Sequence, residues 1–213
     1  MLNATQKDYL QTATDRYTEA LPGNEKVTAY LANRGITPDL ANTYRLGVVG
    51  DDPMIGHDNY VGWISIPFIT PSGVVAIKFR QSLDDVQPKY LSDGETRMYN
   101  VTALHHTTDQ IAVCEGELDT IILDGAVGVP AVGVPGVSNW KKHYPRVFEG
   151  YERVFVFADN DTKEDGSNPG MELGKRICRE VPQAVIVSLP KGMDVTDTYL
   201  TEGKQFLLDL IGK

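Results

Sequence analysis

The feature that most constrains this chain is a regular alternation that begins at residue 111. Short, unbroken apolar runs recur as IAVC (111–114), AVGV (131–134), RVFVFA (153–158) and AVIVSL (184–189). Helical patterns separate and follow them: GELDTIILDGA (116–126), a stretch around NWKKHYPRVFEG (139–150), GMELGKRICREV (170–181) and VTDTYLTEGKQFLLDLI (195–211). Strands with no polar alternation are covered on both faces, which is the signature of a parallel sheet between helices. Right-handed crossovers then bring the C-terminal ends of all four strands to one edge of the sheet.

The upstream half has a different texture. EKVTAYLANR (25–34) has apolar residues at helical spacing and a stop at Gly35, and Thr37-Pro38 provides the N-cap and first position of a second short helix. YRLGVV (44–49) reads as a short strand. WISIPF (63–68) and VVAIKF (74–79) flank Thr70-Pro71-Ser72-Gly73, a turn between two β-rich runs. Pro67 cannot donate to a ladder, so the first run belongs at an edge or a bulge. Lys78 and Arg80, two apart, emerge on one strand face. His105-His106 reads as linker. The expected architecture is α/β: a parallel four-stranded sheet flanked by helices over residues 109–213, with C-terminal helices, preceded by a smaller α+β unit over residues 1–108.

Acids gather at the predicted sheet edge. Glu115 directly follows IAVC, Asp159 and Asp161 directly follow RVFVFA, and Asp194 and Asp197 come shortly after AVIVSLP. In an open α/β sheet the crevice beyond the strand C-termini is where ligands bind. Carboxylates brought together repel and raise one another's pKa unless a cation neutralises them. Hard oxygen ligands suit Mg²⁺ or Mn²⁺. An extended Asp159-Asn160-Asp161 sends both acids the same way. Asp119, four residues after Glu115, is placed either to support this cluster or to pair with a helix dipole.

Charge and cysteine content bound the alternatives. The net charge is −9, so long-range steering toward nucleic acid is not expected from the whole molecule, and any such contact must use a local basic strip. Two cysteines, Cys114 and Cys178, and the four histidines have no zinc-site spacing. No apolar run reaches the roughly 18 residues of a membrane span, and the polar N-terminus lacks a secretory pattern, so a cytoplasmic protein with no membrane partner is expected. Lys141, Lys142, His143 and Arg146 form a basic cluster beside Trp140, read as a solvated helix face over a buried Trp.

Glu115-Gly116-Glu117-Leu118-Asp119, Asp159-Asn160-Asp161 and Asp194-Val195-Thr196-Asp197 together resemble the Toprim signature of topoisomerases, primases and some nucleases, in the same order and over about residues 109–200. YLANRGITPDLANTYRLG (30–47), GWISIPFITPSGVVAIKFRQ (62–81) and PKYLSDGETRMYN (88–100) resemble the opening helices, β-hairpin and PKYLNS stretch of the RNA polymerase core of bacterial-type DNA primases. GVPGVSNWKKHY (133–144) is similar to phage-type members. The resemblance implies a primase core that makes short RNA primers on a single-stranded DNA template from NTPs. Two or more Mg²⁺ or Mn²⁺ ions would activate the attacking 3′-hydroxyl and stabilise the triphosphate.

It also implies roles by position. Glu115, Asp159 and Asp161 would be catalytic metal ligands. Asp194 and Asp197 would hold a further ion or its waters. Lys78, Arg80, Lys89 and Tyr90 would meet nucleotide and DNA. Two departures stand out. Tyr99-Asn100-Val101 supplies no basic residue after the PKYL stretch, and Thr162–Pro169 lengthen the loop after the second acidic motif. No zinc-binding or helicase domain is evident, so template selection is expected to involve a separate zinc-binding or helicase protein. The rival readings are a Toprim metal-dependent nuclease and an inactive Toprim module that binds nucleic acid.

Overall fold

The computed structural model describes residues 2–82, 87–93, 97–134, 136, 139–160 and 165–213. The chain forms two compact units, residues 1–96 and 97–213.

The first unit opens with helix α1 (Ala4–Ala20). A reciprocal capping box starts it: the Gln6 amide donates to Asn3 Oδ1 at 2.9 Å and the Asn3 amide to Gln6 Oε1 at 3.0 Å. The sequence reading has no helix here. Polar residues dominate the segment, and the buried stripe of Leu10, Ala13, Thr14 and Tyr17 is narrow, although its helical spacing was legible. Helices α2 (Glu25–Asn33) and α3 (Pro38–Thr43) form where expected, capped by Asn24 and Thr37. An antiparallel sheet follows, ordered β1 (Gly47–Val48), β2 (Ile64–Thr70), β3 (Gly73–Arg80) and β4 (Tyr90–Asp93). Because β1 pairs only with Ile64 and Ser65, Pro67 lies beyond its end, and the register slips at Phe68/Ile69. Pro67 is thus accommodated at a locally unpaired edge beside a bulge.

Helix α1 packs on this sheet around Leu10, Ala13, Tyr17, Val74, Ile77 and Phe79. A polar clasp runs through that core. The Met54 amide donates to the Tyr17 hydroxyl at 3.1 Å, and that hydroxyl lies 2.7 Å from His57 Nδ1. The Tyr9 hydroxyl donates to the Ile55 carbonyl at 2.7 Å and sits 3.4 Å from His57 Nε2. With these directions set, Tyr17 donates to Nδ1, and the ring proton belongs on Nε2, facing Tyr9. Burial of the Tyr17 hydroxyl raises its pKa above the ordinary tyrosine value, against the lowering effect of the Met54 hydrogen bond. His57→Leu removes the acceptor of a buried hydroxyl at similar volume. It is expected to destabilise the protein by about 1–3 kcal/mol in urea denaturation. A loss below about 0.5 kcal/mol would reduce the ring to a spacer.

The second unit begins earlier than the boundary expected after residue 108. Tyr99 and Gly133 exchange backbone hydrogen bonds of 2.8 and 3.1 Å, and the Asn100 side chain donates to Asp124 Oδ2 and the Ala131 carbonyl, both at 2.9 Å. Residues 97–108 are therefore built onto this unit. His105 ends a 3-10 turn, Val101–His105, so the expected linker is part of the fold. The parallel sheet is ordered β6 (Ala131–Gly133), β5 (Gln110–Cys114), β7 (Arg153–Ala158) and β8 (Ala184–Ser188). Helix α4 (Glu117–Ile121) continues as a π turn through Val127, and α5 (Pro169–Glu180) and α6 (Val195–Asp209) complete the unit, α6 breaking at Gly203.

The helix expected around residues 139–150 is replaced, among the described residues, by a 3-10 turn, Tyr144–Phe148. Pro145 lacks the amide that would continue a helix, and aromatic packing takes over: Trp140 stacks on Phe148 at 6.1 Å and donates Nε1–H to Glu180 at 2.8 Å. Trp140 is 3% exposed, so its ring is core rather than a stacking platform for bases. Among the described residues, no helix is long and apolar enough to cross a membrane.

Candidate functional site

Two strand ends build the site. Cys114 pairs with Phe157, so Glu115 follows one residue past that pair on β5 and Asp159 two residues past it on β7, and both leave the same edge of the parallel sheet. The start of α5 closes on them at Gly170. A Cβ there would stand 2.6 Å from the Asp159 carbonyl oxygen, 3.0 Å from its amide nitrogen and 3.0 Å from Glu115 Oε2. One point thus touches both the Glu115 carboxylate and the Asp159 backbone, and only glycine leaves room for that approach. Asp161 lies outside the described residues.

Asp119 and Asp194 have visible structural partners. Asp119, 7% exposed, accepts from the Thr196 amide at 3.0 Å and the Thr196 hydroxyl at 2.7 Å. It therefore fastens the first turn of α4 to the first turn of α6. The sequence reading missed Thr196, which carries no signal beyond its place in the Asp194–Asp197 motif. Asp194 caps α6, taking the Asp197 amide at 2.7 Å, and Asp197 is exposed in the first turn, where the helix dipole favours it. Asn160 donates to the Leu189 carbonyl at 3.1 Å, and its own carbonyl accepts from Gly192 at 3.1 Å. The end of β7 is thereby tied to the loop that leads from β8 to Asp194.

The electrostatics of this edge show in Cys114. Its thiol is pushed well above the ordinary cysteine pKa, first by burial and next by the Asp119 carboxylate. Asp159 and Asp124 push the same way, against a hydrogen bond with Thr120. Negative charge is thus concentrated at the end of β5, the setting that a bound cation would complete. The donor set consists of hard carboxylate oxygens, which fits a divalent ion of the Mg²⁺ or Mn²⁺ kind. Among the described residues, no three His, Cys, Asp or Glu side chains converge as a complete cage.

The basic residues singled out from sequence lie in the first unit. Arg80 is directly opposite Tyr90 in the β3–β4 register. Its guanidinium lies 4.7 Å from the Tyr90 ring centroid and 5.5 Å from that of Tyr30, and Nε donates to the Tyr30 hydroxyl at 2.9 Å, with Nη2 bonded to the same oxygen. The Lys78 ammonium sits over Tyr90 at 4.2 Å, which places Lys78 and Arg80 on one face as expected. Arg80 is only 3% exposed, whereas Lys78, Lys89 and Tyr90 are half-buried. Arg34 lies over the far tyrosine, 5.6 Å from the Tyr30 centroid. Sequence reasoning missed Tyr30 and Arg34. Their spacing of four on α2, which puts a ring beside a cation, was the available signal.

Comparison with known proteins agrees with this layout. Residues 110–205 match the model of the Toprim domain. The chain is 38% identical to the Gene 57 protein of Mycobacterium phage D29 over 159 residues, which cover 71% of this chain and 99% of that protein. It is 22% identical to the DNA primase of Pseudomonas aeruginosa, over 92% of this chain and 34% of that one, so it spans about a third of that relative's length. Among solved structures, the zinc-binding and RNA polymerase domains of Aquifex aeolicus primase share its fold with a TM-score of 0.80 at 20% identity, over 99% of this chain and 61% of that one. A DnaG primase catalytic domain bound to single-stranded DNA superimposes with a TM-score of 0.72 at 20% identity, over 98% of this chain and 82% of that one. Fold and strand-end acids together define a Toprim protein with an additional N-terminal unit. The chain belongs to the same family as that phage protein, carries a Toprim domain and shares the fold of primase RNA polymerase domains.

Proposed function

We propose that this chain is a primase catalytic core, which synthesises short RNA primers from NTPs on a single-stranded DNA template by divalent-ion-dependent nucleotidyl transfer. The observation that carries the proposal is the extent of the likeness. It runs through both units, whereas a shared Toprim site alone would serve a nuclease equally well. In this reading Glu115 and Asp159, joined by Asp161, hold the ions, and Asp194 and Asp197 serve a further ion or its waters. A divalent ion bound there would neutralise the triphosphate and leaving pyrophosphate and lower the pKa of the attacking hydroxyl.

The chain's own groups do the positioning. The lack of a side chain at residue 170 lets the start of α5 approach both the Glu115 carboxylate and the Asp159 backbone. Asp119 supports the site through Thr196 and needs no direct contact with substrate. Lys78 and Lys89 supply cations for nucleotide and template, and Tyr90 lines their strip. With a net charge of −9, template binding by this chain alone is expected to be weak, and a separate zinc-binding or helicase protein would improve it.

The test is incubation with single-stranded DNA, labelled NTPs and Mn²⁺ or Mg²⁺. Short labelled RNA that needs both template and metal is the expected product. Shortened DNA without RNA would establish the nuclease instead, and neither product at millimolar metal, with or without the partner, would leave only a binding module.

A further inference from the structure

In the first unit, cations alternate with tyrosine rings in the order Arg34, Tyr30, Arg80, Tyr90, Lys78. Arg80 and Lys78 hold different places in this row. The Arg80 guanidinium is buried, lies over the Tyr90 ring and is bonded at the edge of Tyr30, where two of its nitrogens meet the hydroxyl. The Lys78 ammonium lies over Tyr90 and is half-buried. Cation–ring attraction strengthens as the cation is desolvated, so the better-fixed partner of Tyr90 is Arg80. A planar guanidinium held by a hydroxyl and a ring is also pre-organised, whereas an ammonium on a four-carbon stem is not. The register agrees, since Arg80 is directly across from Tyr90 and Lys78, opposite Ser92, reaches the ring diagonally.

We infer that Arg80 is a positioning residue. It sets the Tyr90 ring, and through it Lys78, and Lys78 is the cation that meets a template phosphate. Tyr30 acts one step further back by fixing Arg80. This deepens the template-strip reading above and rests on it.

The experiment measures binding of the full chain to a fluorescent oligo-dT strand by anisotropy between 50 and 200 mM salt, with thermal melts to confirm folding. Each phosphate contact on a single strand contributes about 0.7 to the slope of log affinity against log salt. Lys78→Ala is expected to reduce that slope by about 0.7 and affinity by about tenfold. Arg80→Ala should give the same loss, and the double variant should be no weaker than Lys78→Ala, with an unchanged slope. Multiplying affinities and a slope reduction of about 1.4 would place Arg80 on the DNA itself and overturn the inference. Tyr30→Phe keeps the ring and loses one hydroxyl, so it is informative even where Arg80→Ala does not fold. It should weaken binding by about two- to fivefold while Lys78 is present and have no effect in the Lys78→Ala background. No change in either background, or equal changes in both, overturns the inference. A Lys78→Ala slope equal to that of the parent chain overturns the template-strip reading instead, a result that the priming assay judges separately.

Discussion

Glu115→Gln is expected to lower primer synthesis by at least about a thousandfold, roughly 4 kcal/mol of transition-state stabilisation, while the fold persists. The substitution keeps size and hydrogen-bonding capacity and removes only the charge that the proposed divalent ion would need from the end of β5. Asp159→Asn should behave alike, because the two residues follow the ends of adjacent strands and both approach Gly170. Binding of an oligonucleotide should survive in both variants, since the cations assigned to it lie in the first unit. The measurement is radiolabelled NTP incorporation at several Mn²⁺ concentrations, alongside a thermal melt. Loss of crowded negative charge predicts an unchanged or slightly raised melting temperature without metal. Incorporation within tenfold of the parent would remove Glu115 from the metal-binding set.

Gly170→Ala is expected to be nearly as damaging by a wholly different route. The added methyl would meet backbone, the Asp159 carbonyl at 2.6 Å and its amide at 3.0 Å, which cannot turn aside as a flexible side chain can. The start of α5 must therefore shift, or the end of β7 must. Overpacking of this kind costs about 1–3 kcal/mol of stability, and a displacement of the reacting groups near 1 Å lowers activity by about a hundredfold. Gly150→Ala is the control, because open space surrounds that glycine. If Gly170→Ala lost stability and kept full activity, the contact would be architectural only.

How much of this was legible beforehand follows from the range of each interaction. The four parallel strands were readable because IAVC and RVFVFA are apolar on both faces, a property of the local sequence. The shared edge followed from handedness, whereas the order β6-β5-β7-β8 depends on pairings distant in sequence. Helix α1 escaped because its buried stripe is thin, and the helix expected near residue 145 failed because a proline and three packed aromatic rings outweighed a weak helical pattern. The acids were found by position at strand ends, but their present partners were not. That Asp119 holds Thr196 depends on a contact 77 residues away in sequence, and the burial of Arg80 depends on Tyr30, 50 residues away. Gly170 looked like an ordinary helix-start glycine, since its reason lies in how closely α5 approaches β7.

Because one carboxylate oxygen of Asp119 receives both the amide and the hydroxyl of Thr196, the beginnings of α4 and α6 form a single buried joint. A change at the start of either helix is therefore felt at the start of the other. Any non-proline residue at 196 keeps the amide bond, whereas one without a hydroxyl forfeits the 2.7 Å bond and loosens the joint.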